Sequence, residues 1–410
     1  MRSGSLSGAV GGVTDAEKGG RTRLLRVSAA ATFLIFFQAF MVAPILPRLA
    51  DLFHVSVTTM GLIVPAYLIP YGLATLVYGP LSDRVGRGPI IFSSLLAFLV
   101  LTAATAAVGS MPPLLALRLL TGLGASGVVP IALALVSDLF PFKERGRPLG
   151  LLFGAMAGGM AFGSTAGAIL EPVLTWRGLF LGVAGLAAVI MVLLWPDRAL
   201  LRGVPGHARA GYRDLLAGYA RLLSAGRGRR TYGYVLLNAL FHSGVYTWLG
   251  LYFARRYGLG ESGIGLALLG YGVPGFLLGP PIGRAADRWG RGRLLPVGLA
   301  IGGASAAILA LTTPLVVAAL LVTTLSLGYD MTQPLLAGIA TDLGPHKGQA
   351  MGLNVLLLFT GFGLGSLIFS AALILGLSTA LLLFGALVLL LAALAVRLFR
   401  GEVPHPAMPG

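Results

Sequence analysis

The sequence predicts an all-α membrane protein with twelve transmembrane helices in two parallel six-helix repeats. Three observations carry that prediction: a scarcity of charge, twelve apolar stretches of bilayer length, and an internal repeat of 204 residues. Only 11% of the 410 residues are charged, while 56% are apolar and a further 60 are glycine. A soluble domain carries about 25% charge and about 45–50% apolar residues with glycine counted in. Too little charge remains to keep a soluble fold of this length dissolved, so lipid is expected to solvate the outer surface.

A hydrocarbon core of about 30 Å takes about 20 helical residues. Stretches of that size lie near 25–48, 57–79, 89–108, 113–139, 148–171, 178–195, 232–253, 262–282, 294–312, 314–341, 349–375 and 379–397, numbered here as spans 1 to 12. Residues 1–24 read as a flexible cytoplasmic tail, lacking the short apolar core and cleavage site of a secretory signal. The expected organisation is a six-span bundle over 25–195, a polar cytoplasmic linker over 196–231, a second bundle over 232–397, and a cytoplasmic tail over 398–410.

Charge placement orients these spans. With loops alternating between sides, 25 of the 30 Lys/Arg fall on the side of the termini, against four on the other: Arg48, Arg177, Arg255 and Arg256. That asymmetry predicts a cytoplasmic (inner) membrane protein with both termini in the cytoplasm. It also accounts for the net charge of +16 without a nucleic-acid partner. The basic stretch Arg221–Arg230 reads as a topological anchor beside anionic headgroups. The absence of cysteine excludes disulfides, zinc–thiolate sites, iron–sulfur clusters and thiol catalysis.

Shifting the chain by 204 residues superimposes its halves. Tyr67 falls on Tyr271, Pro70 on Pro274, Pro130 on Pro334 and Asp138 on Asp342. The loop after span 2, Gly79-x3-Asp83-Arg84-x-Gly86-Arg87, falls on Gly283-x3-Asp287-Arg288-x-Gly290-Arg291. A shift of 202 then aligns Gly159 with Gly361 and Gly163-Ser164 with Gly365-Ser366. The repeat contains an even number of spans, so both halves share one orientation and are related by an axis along the membrane normal. Halves of this kind rock about a site near the midplane.

The duplicated loop resembles the signature motif of the major facilitator superfamily. Arg118-x3-Gly122 in span 4 resembles that superfamily's Arg-containing fourth-helix motif. Gly159-x3-Gly163-Ser164-x2-Gly167 is similar to the glycine-rich motif of the drug:proton antiporter branch, with Ser164 standing where that motif has proline. Trp176-Arg177-x2-Phe180 fits the same family, and the resemblance spans about residues 25–400. It implies the major facilitator fold and secondary transport by alternating access, with Arg118 influencing proton coupling. Anion binding is the competing role for Arg118.

The loop motif has its own physics. Gly79 and Gly86 permit close helix approach and a tight turn. Asp83 can bond a helix N-terminus, and Arg84 and Arg87 can reach a carboxylate such as Asp138. Gly283, Asp287, Arg288, Arg291 and Asp342 are the equivalents in the second half. Together they read as a cytoplasmic gate whose contacts form in one access state and break in the other. In span 5, Gly154, Gly158, Gly159 and Gly163 give small-residue spacing for helix packing or for a hinge.

Ionisable groups at depth are costly and mark function. Asp330 in span 10 is the one acid clearly mid-span; Thr323, Ser326 and Gln333 share its helix face. It reads as a site for a proton or a cationic substrate group. Arg118, the lone mid-span cation, lies too far out for a direct pair with Asp330: its repeat equivalent is Val322, eight residues before Asp330, about 12 Å at 1.5 Å per residue. Asn238, His242 and Tyr246 form a polar stripe on span 7, and His242 aligns with Gln38 of span 1, so both are expected to face a central cavity. Tyr67 and Tyr71 lie on one face of span 2, as a cavity wall or as packing.

An enzyme is not expected. Gly122-Leu-Gly124-Ala-Ser-Gly127 matches a dinucleotide fingerprint but lies inside an apolar span with no strand before it. No Walker A sequence and no metal-ligand spacing of histidines occur, so neither cofactor nor metal is expected. The reading is a monomeric, proton-coupled exporter of a small amphipathic or drug-like compound. An uptake permease or facilitator for a metabolite, and a non-transporting membrane sensor, are the alternatives.

Overall fold

The computed structural model describes residues 15–140, 146–198, 201, 212–343 and 347–402. Helices make up nearly all of them, and no strand occurs among the described residues. Nine helices there are long and apolar enough to cross a membrane. One of these, Gly150–Asp197, is 48 residues long and holds both span 5 and span 6. They join at Thr175, whose φ of 60° and ψ of 161° interrupt the helix. Spans 7 and 8 lie outside the nine. Span 7 opens on Arg227, Arg229 and Arg230 and is broken at Trp248, giving Gly226–Thr247 and Leu249–Tyr257. Span 8 is cut into Glu261–Ala267 and Val273–Trp289. Twelve crossings result, as the sequence predicts.

The interruptions follow the repeat. Span 1 (Asp15–Phe40, then Leu46–Phe53) breaks where span 7 does, while span 2 (Val57–Met60, then Ile63–Val85) breaks a few residues earlier in the repeat than span 8 does. Span 4 is Met111–Ala125 followed by Val128–Leu139. Spans 3, 9, 10, 11 and 12 are Arg87–Thr105, Arg291–Leu309, Leu315–Thr341, Lys347–Ala372 and Leu377–Leu398.

One segment differs from the sequence expectation, and two others gain detail. Residues 15–24, expected as flexible tail, are helix, because Leu24 is buried and Arg21 donates to the Leu139 carbonyl (3.1 Å). Part of the expected linker, Tyr212–Ser224, is also helix, and its Tyr219 and Leu222 pack on Tyr232, Ala340 and Leu353. Beyond span 12, Glu402 accepts from Arg227 (2.7 Å) and Arg230 (2.6 Å), while Gly292 N–H donates to its carbonyl (3.0 Å). The Arg227 hydrogen bond holds the Glu402 carboxyl below the usual carboxylate range. Arg227 and Arg230, expected as anchors, thus also clasp the end of span 12. Residues 1–14 and 403–410 lie outside the described residues.

Small residues set the helix contacts. A Cβ on Gly159 or Gly163 would collide with the backbone of Phe33 or Phe37, so glycine lets span 5 lie directly on span 1. Gly361 and Gly365 do the same for span 11 on Leu236 and Leu240 of span 7. Between halves, Gly72 of span 2 meets Phe359 and Leu356 of span 11, and Gly265 of span 8 meets Ile169 of span 5.

The two ends of the molecule differ. At the end away from the motif loops, Gly61 lies under Trp248 and Gly250 lies on Pro44, joining the halves at the breaks of spans 1, 2 and 7. Arg48 stands 3.9 Å from Glu171 and 4.0 Å from Glu261 of the other half. Below them an aromatic seam crosses between halves: Tyr71 on Phe359 (4.3 Å between centroids), Phe36 on Phe359 (5.7 Å) and Phe40 on Tyr246 (5.7 Å). At the motif end no described atom lies within 4 Å of a Cβ placed on Gly79, Gly150, Gly154, Gly279 or Gly283. Among the described residues, the halves are joined at the far end, while these motif-end glycines carry no such close contact.

Candidate functional site

In the first half the polar centre is Arg118, which is fully buried. Its Nε donates to the Ile63 carbonyl (3.2 Å), Nη1 to Gln38 Oε1 (3.1 Å) and Nη2 to the Ala39 carbonyl (3.4 Å). The guanidinium lies over the Tyr67 ring at 4.4 Å, a cation–π contact. Local folding supplies this nest. The break in span 1 turns the Ala43 N–H to Phe40 O (3.3 Å), which makes the Ala39 carbonyl available to Arg118. Gly122, one turn beyond Arg118, lies on the Tyr67 backbone, so span 4 approaches span 2 closely enough for the guanidinium to reach. Every described partner of the cation is neutral, and none is exposed. Anion binding at Arg118 therefore has no open approach in this state.

The second half has a different centre. Asp330 Oδ2 accepts from the Ser326 hydroxyl (2.8 Å), and Ser326 Oγ accepts from Gly272 N–H (2.8 Å). The Asp330 carboxyl also packs on Gly275, where glycine permits the approach: a Cβ there would sit 2.7 Å from Asp330 Cγ. Asp330 is only partly buried, unlike Arg118. Gln333, one turn on, is half-buried, and its Oε1 has no partner among the described residues.

Span 7 turns its polar stripe onto spans 8 and 10. Asn238 donates to Thr332 Oγ1 (2.9 Å), His242 stacks on Tyr329 with centroids 3.6 Å apart, and Tyr246 lies 4.1 Å from Tyr271. The Tyr271 hydroxyl bonds His242 Nε2. Gln38 and His242, expected to face a cavity, are both buried, one held by Arg118 and the other by tyrosines. Tyr67 and Tyr71 likewise serve packing, Tyr67 under Arg118 and Tyr71 against Phe359. Arg118 and Asp330 do not meet: each is satisfied within its own half.

At the motif loops, Gly86 and Gly290 take φ of +102° and +88°, a left-handed conformation that glycine supplies without strain. Arg87 donates to Asp138 Oδ2 (3.2 Å) and to Ser82, with Arg87 and Asp138 both buried. Its equivalent Arg291 donates to Asp342 (2.7 Å) at an exposed position. Both pairs lie within one half. Arg288 is exposed, and the side chains of Asp83 and Asp287 lie outside the described residues. A Cβ on Gly79, on Gly283 or on Gly154 of span 5 would meet no described atom within 4 Å, and one on Gly158 would meet only the Phe33 ring (3.5 Å).

The model of the Major Facilitator Superfamily matches residues 28–346, and matches again over 234–409. The chain belongs to the Major Facilitator Superfamily. It is 26% identical over 321 residues to the uncharacterized MFS-type transporter YwfA of Bacillus subtilis, covering 77% of this chain and 76% of that one. It is 27% identical over 303 residues to a chloramphenicol resistance protein of Pseudomonas aeruginosa, covering 70% of each. Among solved structures, a bacterial homologue of the human lysosomal transporter Spinster, captured inward-facing and unoccupied, superimposes with a TM-score of 0.72. That match has 18% identity and covers 95% of this chain and all of the other.

As a superfamily member the protein is a transporter and not an enzyme, which sets aside the non-transporting sensor. Its second-half centre includes residues that sequence reasoning did not single out as site residues. Tyr271 was reachable, being the repeat equivalent of Tyr67. Ser326 shared the Asp330 face, but its bond to Gly272 depends on a break in span 8 that hydrophobicity does not show. Tyr329 carried no signal, since a tyrosine beside an acid is compatible with either helix face.

Proposed function

We propose that this protein exports a small amphipathic compound from the cytoplasm in exchange for protons, by alternating access. The observation that carries the reading is Asp330: a carboxylate at mid-depth, partly buried, bonded by the Ser326 hydroxyl and packed on Gly275 of span 8. A charge at that depth is costly to carry through reorientation. Taking up a proton removes the charge, so the loaded and unloaded carboxyl favour different states. The excess of Lys/Arg on the motif-loop side supports placing that end in the cytoplasm and reading this state as inward-facing. Resistance to chloramphenicol in a relative supports export as the direction.

The test uses inverted membrane vesicles with an acid-inside gradient and radiolabelled chloramphenicol as the first probe, followed by fluorescent amphipathic cations. Wild-type vesicles are expected to accumulate probe, and Asp330→Asn vesicles to lose accumulation while keeping probe-for-probe exchange. Gradient-driven accumulation that survives Asp330→Asn contradicts the assignment. Accumulation only in right-side-out vesicles points instead to uptake.

A further inference from the structure

The interruption of span 8 lies against the polar face of span 10. Between Ala267 and Val273 the chain leaves helical geometry, and Gly272 sits at φ +79°. Three glycines in this segment each receive one polar side chain of span 10: Gly270 takes Thr323, Gly272 bonds Ser326, and Gly275 takes Asp330. The Gly272 N–H donates to Ser326 Oγ, and the Ser326 hydroxyl donates onward to Asp330 Oδ2, each at 2.8 Å. Gly272 also touches the other half of the molecule. A Cβ there would collide with the Ala161 methyl of span 5, so only glycine fits between the two bundles at this point.

We infer that Ser326 is a positioning residue for Asp330, and that the Asp330–Ser326–Gly272–Ala161 chain transmits the state of the carboxyl to the contact between halves. This inference rests on Asp330 being the coupling carboxylate and says how that site acts at a distance. While ionised, Asp330 draws on the Ser326 hydroxyl, whose oxygen in turn holds the Gly272 N–H, and the broken segment of span 8 is pinned to span 10. A hydrogen bond to an ionised group is roughly twice as strong as one between neutral groups. Protonation neutralises the carboxylate and weakens these bonds, which frees the segment whose Gly272 rests on span 5, and loss of the proton to the cytoplasmic side re-forms them.

Span 8 is suited to this because its break already lacks continuous helical hydrogen bonding, so it yields before an intact helix would. The titratable side chains that face the cluster are Tyr271 of span 8, Tyr329 of span 10, and His242 and Tyr246 of span 7. Arg118 is bound by spans 1 and 2 in the other half.

The chain has no cysteine, so a pair of labels can be placed without background. Val77 of span 2 and Leu277 of span 8 are exposed and lie in opposite halves toward the motif end. Val77→Cys and Leu277→Cys, spin-labelled in lipid nanodiscs, report opening of that end as a distance distribution read from pH 5 to 9. The intact chain is expected to shift between two distances with a single midpoint, and Asp330→Asn to hold one distance throughout. Ser326→Ala keeps both distances but moves the midpoint to higher pH by about 1 unit, because the ionised carboxyl loses a donor. Ser326→Thr restores the original midpoint, which a purely packing role for the hydroxyl would not produce. Gly272→Ala is expected to abolish the shift. A Ser326→Ala midpoint equal to that of the intact chain, with Asp330→Asn unresponsive, overturns this inference alone. An Asp330→Asn chain that titrates normally overturns the coupling role of Asp330 and this inference with it.

Discussion

Arg118→Ala is expected to destabilise the first half and abolish transport. Removing the guanidinium strands two buried acceptors, Gln38 Oε1 and the Ala39 carbonyl, at about 1–3 kcal/mol each before relief of the buried charge is set against it, and takes a second donor from the Ile63 carbonyl. It also takes away the cation that lies over Tyr67. Arg118→Lys is expected to be nearly as damaging. An ammonium is a point donor on a flexible stem and cannot serve acceptors on spans 1 and 2 with the fixed fork that arginine provides. Thermal unfolding in detergent, read beside vesicle transport, checks both variants. A lysine variant with the stability and activity of the intact chain contradicts this account of Arg118.

The second large effect separates glycines that one sequence pattern groups together. Gly163→Val is expected to be severe, because the new side chain collides with the Phe37 backbone and forces spans 1 and 5 apart. Overpacking of this kind costs about 1–3 kcal/mol where neighbours can yield, and more where the obstacle is backbone. Gly365→Val, its counterpart on Leu240 of span 7, is expected to match it. Gly154→Leu meets open space and is expected to leave the unfolding temperature unchanged while slowing transport, because it lies where the motif end must close. Unfolding temperature and transport rate, measured on all three, read the two effects separately. Equal destabilisation of Gly154→Leu and Gly163→Val contradicts the assignment of Gly154 to open space.

The fold was legible because its causes are additive along the chain. Twelve apolar stretches and the register of Gly86 with Gly290 are composition and spacing, and both survive folding unchanged. The pairing of Arg87 with Asp138 and of Arg291 with Asp342 was also readable, since the repeat offers the same two partners twice. Side-chain direction was not. The stripe of Asn238, His242 and Tyr246 is real, yet it turns onto spans 8 and 10 and not into open space. A helix face states only which residues lie together, and the neighbouring helix decides whether water or protein meets them. The end of the N-terminal tail was misread for a related reason: Leu24 is an ordinary residue in a polar segment, and its burial depends on distant partners. The breaks in spans 1 and 8 left no apolar signature, although they shape the Arg118 and Asp330 environments.

The central claim is that transport moves protons through Asp330. Proteoliposomes containing the intact chain, a trapped pH-sensitive dye and no imposed gradient test it most directly, with chloramphenicol and then amphipathic cations added outside. The account predicts a probe-dependent pH change inside the vesicles that is absent in Asp330→Asn. Probe movement by the intact chain with no accompanying pH change, or a pH change that persists in Asp330→Asn, would contradict it.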